Sequence, residues 1–247
     1  RTGETINKCI ADNGGGEATH QIDKDLTFTM TGGAIDNCSA KIFGGGMFIE
    51  NNGDCTLEGG TINNCSADYG GGVFVKYGDF IMKSGTIENC FARTSVGSYG
   101  YGGGVNIYYG NFTMTGGTVK DCTSTYSENN ALCLFSNATM IADGGSIKGT
   151  SIIYSLDSTI SKIKNTSSAK YTKFYGFVEN QGTISGGVFY GGIQNKYSGT
   201  VTNPYKIVTF DLNGATGSVP NQWLVNAKGA TANRPTDPTW EGYKCMG

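Results

Sequence analysis

The sequence predicts an all-β fold, a parallel β-helix, and three observations predict it. A phrase, Gly-Gly-Thr-Ile-x-Asn-Cys, recurs down the chain. Glycine is periodic rather than scattered. Short strand-like pieces alternate apolar and polar residues in step with the phrase. The phrase stands at Gly32–Cys38, Gly59–Cys65, Ser84–Cys90 and Gly116–Cys122, with a partial copy ending at Cys9 and a fading one at Gly144–Thr150. Successive copies from Gly32 onward start 27, 25, 32 and 28 residues apart. A period in this range means stacked units, each burying its apolar face only against its neighbours.

Each repeat contains three strand-like pieces. The first is the phrase itself, with Ile35, Ile62, Ile87, Val119 and Ile147 expected to point inward. The second follows a glycine triplet, as in Gly70-Gly71-Gly72-Val73-Phe74-Val75. Its inward columns are Met47/Val73/Val105 and Ile49/Val75/Ile107, because side chains alternate across a strand. Phe48, Phe74 and Asn106 lie between them and are assigned outward by the Asn. The third piece follows Gly-Asp or Gly-Asn, with Phe28/Cys55/Phe80/Phe112 and Met30/Leu57/Met82/Met114 inward. Two residues separate the inward Ile from the Cys, so strict alternation fails there and a bend is needed. Asn37, Asn64, Asn89 and Asp121 sit at that bend, and Asn and Asp tolerate the left-handed conformation it uses. They are expected to form an internal ladder of structural, non-catalytic residues. After Thr150 the register degrades, and two or three less regular rungs are expected to about residue 200. Gly182–Gly187 echoes the phrase.

The chain has 247 residues, a net charge of −2 and 40 glycines against 4 prolines. This low, balanced charge predicts no nucleic-acid binding, which requires clustered Lys and Arg. No apolar run reaches the ~18 residues of a membrane-spanning helix, so no membrane insertion is expected of this segment. Of the eight cysteines, Cys9, Cys38, Cys65, Cys90 and Cys122 share one repeat position, and Thr150 takes it next. Free Cys behaves as a small buried hydrophobe, so a buried thiol ladder is expected rather than a disulfide framework. His20 has no partner at metal-ligand spacing, and neither metal nor cofactor is expected.

The repeat resembles those of polymorphic outer-membrane adhesins and, more broadly, the pectate-lyase-like right-handed β-helix. The resemblance covers roughly residues 3–150. Composition then shifts at Asn203-Pro204, giving a β-helix over 1–203 and a second unit over 204–247. In the latter, Val208, Phe210, Asn213, Gly214, Pro235, Pro238, Gly242, Tyr243 and Gly247 match the Listeria–Bacteroides repeat of internalin-type surface proteins. Ala215 and Cys245 depart from that pattern, and the sequence stops where the module's second half would follow. This resemblance implies a secreted or surface-attached bacterial protein. Arg1 falls beside a repeat already under way, which predicts further rungs upstream.

Regular repetition points to a scaffold more than to an active site. The expected function is a non-catalytic, adhesin-like or stalk domain that binds glycan or a host surface protein. The alternative is a carbohydrate-active enzyme, a polysaccharide lyase or glycoside hydrolase. Against it, the outward ranks Asp36/Asn63/Glu88/Lys120/Lys148 and Glu50/Lys76/Tyr108 mix charges as a solvated face does. The recurrent Asp54 and Asp79 sit at turns that favour Asp for backbone reasons. The candidate ligand-binding residues are Tyr69, Tyr77, Tyr99, Tyr101, Tyr108 and Tyr109, rings with an apolar body and a polar tip. The insertion Thr94–Tyr101, which makes one repeat the longest, is expected beside them.

Overall fold

A computed structural model describes residues 27–93, 101–125, 130–154, 160–167, 170–197 and 199–202. It also gives the backbone strands Thr5–Asn7, Ile10–Asn13, Glu17–Thr19, Tyr205–Val208 and Gln222–Val225. Cys9, His20, Tyr99 and most of the predicted second unit lie outside the described residues.

The chain forms a parallel β-helix whose coils stack in register. Among the described residues the strands build sheets of ten, five, eight and eight members. We number the sheets in the order one coil visits them. The coil beginning at Thr61–Asn63 (sheet 1) continues through Ser66–Ala67 (sheet 2), Val73–Lys76 (sheet 3) and Asp79–Met82 (sheet 4). Each strand pairs in parallel with its counterpart one coil away, as Ile87 does with Ile62 and Val119, or Val75 with Ile49 and Ile107. The predicted inward columns fill the interior, from Ile35 through Ile62, Ile87, Val119 and Ile147 to Phe174 and Phe189. Phe80 and Phe112 stack inside at 5.3 Å.

The structure corrects the coil from three sides to four in its regular part. Sheet 2 escapes sequence reading because most of its strands are two residues long, such as Ser66–Ala67 and Phe91–Ala92. Its inward column, Ala40/Ala67/Ala92/Ser124, is small-sided. Between sheets 2 and 3 runs the glycine triplet. Gly70 has φ +63°, and a Cβ on Gly71 would stand 2.5 Å from the Phe91 backbone, so coil-to-coil approach requires glycine there.

The bend after sheet 1 has the predicted left-handed residues, with φ of 52°, 51°, 52° and 52° at Asn37, Asn64, Asn89 and Asp121. The ladder lies outside the coil, however, not inside. All four side chains are exposed, because a left-handed residue inserted between two inward positions turns its own side chain to solvent. Asn64 donates to Asp36 at 3.2 Å and Asn89 to Asn63 at 2.9 Å, which links each corner to the coil before. Cys38, Cys65, Cys90 and Cys122 are buried free thiols just inside it. Each donates to the carbonyl two residues earlier, at 3.1–3.3 Å. Cys therefore fits because it is small, apolar and able to cover a carbonyl exposed by the bend. Burial pushes the Cys90 thiol well above its ordinary pKa.

The later coils shorten. Ile147 pairs with Phe174, 27 residues on, but Phe174 pairs with Phe189 after only 15. The Gly182–Gly187 echo is out of phase with the phrase. Thr183–Ile184 belongs to sheet 4, and Val188–Phe189 takes the sheet 1 position. The regular coils end near Thr200–Val201. Tyr205 then pairs in parallel with Val188, and Tyr205–Val208 pairs antiparallel with Gln222–Val225.

Candidate ligand-binding groove

Sheet 3 is unlike the other faces because its outward column is apolar as well. That column runs Phe48, Phe74, Asn106, Cys133, Ile152 through successive coils. All five are at most 3% exposed. They are covered by a second layer: Phe43 and Tyr69 from the segments entering the sheet, then Tyr101, Phe135 and Tyr154. Phe43 stacks on Phe74 at 4.6 Å, and Phe135 stacks between Tyr154 at 5.1 Å and Tyr108 at 5.6 Å.

Asn106 interrupts this aromatic layer. It occupies the site where a third phenylalanine would continue Phe48 and Phe74, and the shorter side chain leaves a groove of about 420 Å³. Phe43, Tyr69 and Phe74 line one side, Tyr101, Tyr108 and Phe135 the other, with Asn106 and Lys76 also in the lining. Asn106 Nδ2 donates to the Tyr101 carbonyl at 3.1 Å, while its buried Oδ1 has no partner. Such an orphaned acceptor costs about 1–3 kcal/mol. Lys76 is held by Glu50 at 2.6 Å.

Of the six tyrosines proposed from sequence, Tyr69, Tyr101 and Tyr108 come together here. Tyr77 and Tyr109 form a separate, more exposed pair at the turn from sheet 3 to sheet 4, stacked at 5.2 Å. Tyr108 meets both edge-on and so connects pair and groove. Both turn tyrosines are left-handed, with φ of 58° and 53°. Bulky residues rarely adopt this conformation, which costs roughly 1–2 kcal/mol. Phe43, Phe74, Asn106, Phe135 and Tyr154 were not singled out from sequence as a site. The available signal was Asn106 itself, the polar member of a Phe column.

The mixed-charge ranks resolve into coil-to-coil pairs, with Lys120 at 2.7 Å from Glu88 and Asn63 donating to Asp36 at 2.9 Å. Asp79 accepts from Asn111 at 2.7 Å across the next coil. Among the described residues no group of three or more His, Cys, Asp or Glu converges to hold a metal ion. Comparison with protein families, with curated proteins and with solved structures returned no match.

Proposed function

We propose that this chain is a non-catalytic scaffold displayed at a bacterial surface or secreted, and that it binds a glycan in the groove on sheet 3. The carrying observation is Asn106, a buried amide with a spare acceptor inside an otherwise aromatic-lined groove. Aromatic faces suit the apolar face of a sugar ring, and a few placed polar groups orient it. The free Oδ1 would accept from a sugar hydroxyl and so remove its desolvation cost. The surface location rests on the resemblance of the repeat phrase to outer-membrane adhesins and of residues 205–247 to the internalin-type module.

A glycan array probed with the folded chain tests this reading. Binding should be found and should weaken about fivefold to tenfold on Tyr101→Ala or Tyr108→Ala, as expected for loss of one stacked ring. Release of reducing ends from any bound polysaccharide would replace this reading with the enzymatic one. Failure to bind any glycan, with the fold intact by circular dichroism, would leave a plain spacer.

A further inference from the structure

A second face differs from the aromatic groove in place and in chemistry. From Asp143 to Glu179 the sequence holds five lysines, Lys148, Lys162, Lys164, Lys170 and Lys173, against three acids, Asp143, Asp157 and Glu179, in a chain whose net charge is −2. All five lysines are exposed, and none forms an ion pair among the described residues. Lys76, Lys83, Lys120 and Lys196, by contrast, are each paired with an acid on an adjacent coil. The positive charge is therefore concentrated on sheets 1 and 4 of the coils where the repeat loosens.

Two of these lysines, Lys170 and Lys173, line a built cavity. A groove of about 850 Å³ on sheet 1 is floored by Gly144, Gly145 and Ser146 and walled by Lys170, Tyr171, Lys173 and Tyr175. Lys170 and Tyr171 come from the connection between Lys164 and Lys173, which Asp143 fastens down. The Asp143 carboxylate accepts from the backbone N–H groups of Thr166 at 2.7 Å and Ser167 at 3.0 Å. It also accepts from Asn165 Nδ2 at 3.2 Å and from the Thr166 hydroxyl. Asn165 Nδ2 donates in addition to the Lys170 carbonyl at 2.9 Å, and Thr172 Oγ1 to Gly144 at 2.6 Å. The backbone that carries Lys170 is thus fastened before any ligand arrives, which reduces the ordering cost of binding. Tyr175 stacks on Tyr190 one coil away, with centroids 4.7 Å apart and planes 6° apart.

We propose that this face is a binding site for a linear acidic polysaccharide, one carrying carboxylate or sulfate groups. The lysines supply charge along the helix axis. The tyrosines supply hydroxyls and ring edges for hydrogen bonding and contact. Single-stranded nucleic acid fits less well. A channel that tracks a nucleic-acid backbone needs a run of basic residues, and only Lys170 and Lys173 line this groove. The site stands on sheet 1 and does not rest on the sheet 3 groove.

The experiment measures binding of polygalacturonate, dextran sulfate, neutral dextran and single-stranded DNA to the full chain. Both acidic polysaccharides or either one should bind, neutral dextran should not, and DNA should bind more weakly. Affinity should fall as ionic strength rises from ~0.01 M to ~1 M, where the screening length shrinks from ~30 Å to ~3 Å. Lys170→Ala with Lys173→Ala, both exposed and without effect on packing, should weaken binding about tenfold. Asp143→Asn removes a negative charge yet should also weaken binding, because the connection loses its fastening. Asn106→Phe on sheet 3 should leave it unchanged. DNA binding as tightly as the polysaccharides, insensitivity to the double lysine substitution, or absence of any acidic-polysaccharide binding would overturn the proposal. Tighter binding by Asp143→Asn would reduce the site to undirected charge and overturn it as well.

Discussion

At the scale of single residues, Asn106 and Cys90 depart most instructively from what packing alone would choose. Replacing Asn106 by Phe continues the Phe48–Phe74 column, fills the groove and removes an unpaired buried acceptor. Asn106→Phe should therefore raise stability by about 1–3 kcal/mol in urea denaturation while abolishing glycan binding. A loss of stability would mean that the groove is too narrow for a ring. Tyr77 makes a related case. Tyr77→Asn suits the left-handed backbone better but loses the stack on Tyr109. Stability should change by no more than about 1 kcal/mol, and sugar affinity should hold, because Tyr77 does not line the groove. Cys90 gives a pH signature. Its thiol is fully buried, and desolvation holds its pKa well above the ordinary 9.0, so the folded chain keeps a proton that the unfolded chain releases. The unfolded state binds fewer protons above pH 9.0, so stability falls as pH rises past that value. Cys90→Ala should lower stability overall but flatten its decline between neutral and alkaline pH. An unchanged slope would show that the thiol titrates alike in both states.

At the scale of the element, the coil is held by features with different visibility in the sequence. The columns of sheets 1, 3 and 4 were readable because Ile, Val, Phe and Met repeat at fixed offsets. The corner was readable because Asn interrupts alternation at the same place each time. Its exposure was not, since sequence gives the presence of a bend but not the side to which a left-handed residue turns its side chain. Sheet 2 was hidden because two residues with an Ala or Ser facing inward produce no apolar signal. Half of the aromatic groove was legible as a tyrosine cluster. Phe43, Phe135 and Tyr154 were not, because they meet their neighbours only when successive coils are stacked. The Asp143 fastening was also invisible, since a lone Asp before Gly-Gly reads as turn chemistry. It too has a pH consequence. Burial raises its pKa, but hydrogen bonds from Thr166, Ser167 and Asn165 outweigh this and hold the carboxyl below 3.8. The stabilisation is complete above that value and is lost as pH falls through the depressed one. Protection of the Thr166 and Ser167 amides, taken relative to the intrinsic exchange rate at each pH, should therefore fall in acid, and in Asp143→Asn it should be low already at neutral pH. Equal protection in the variant would show that the backbone alone holds the connection.

At the scale of the molecule, stability should grade along the helix axis, because each coil touches only its neighbours. The central coils have apolar inward columns on sheets 1, 3 and 4, whereas the later ones admit polar groups on sheet 3. Ser151 takes an inward sheet 3 position between Leu132 and Val178 with its hydroxyl unpaired. Asn180 replaces the Ile49–Val75–Ile107 type of residue. It satisfies itself by donating to Asn195 at 2.8 Å and to the Thr200 carbonyl at 3.0 Å, and by accepting from the Gly182 N–H at 3.0 Å. Ser151 has no such compensation, so it marks the weaker joint. Amide exchange in denaturant should be slowest in strands such as Val73–Lys76 and Asn111–Met114 and faster in Val178–Asn180 and Thr183–Ile184. Ser151→Val restores the inward column and should add about 1–3 kcal/mol of protection. That gain should be confined to the coils on either side, Asn130–Phe135 and Val178–Asn180, and leave Val73–Lys76 unchanged. An equal gain in every coil would instead mean that the whole helix opens as one cooperative unit, and the nearest-neighbour account of its stability would fail.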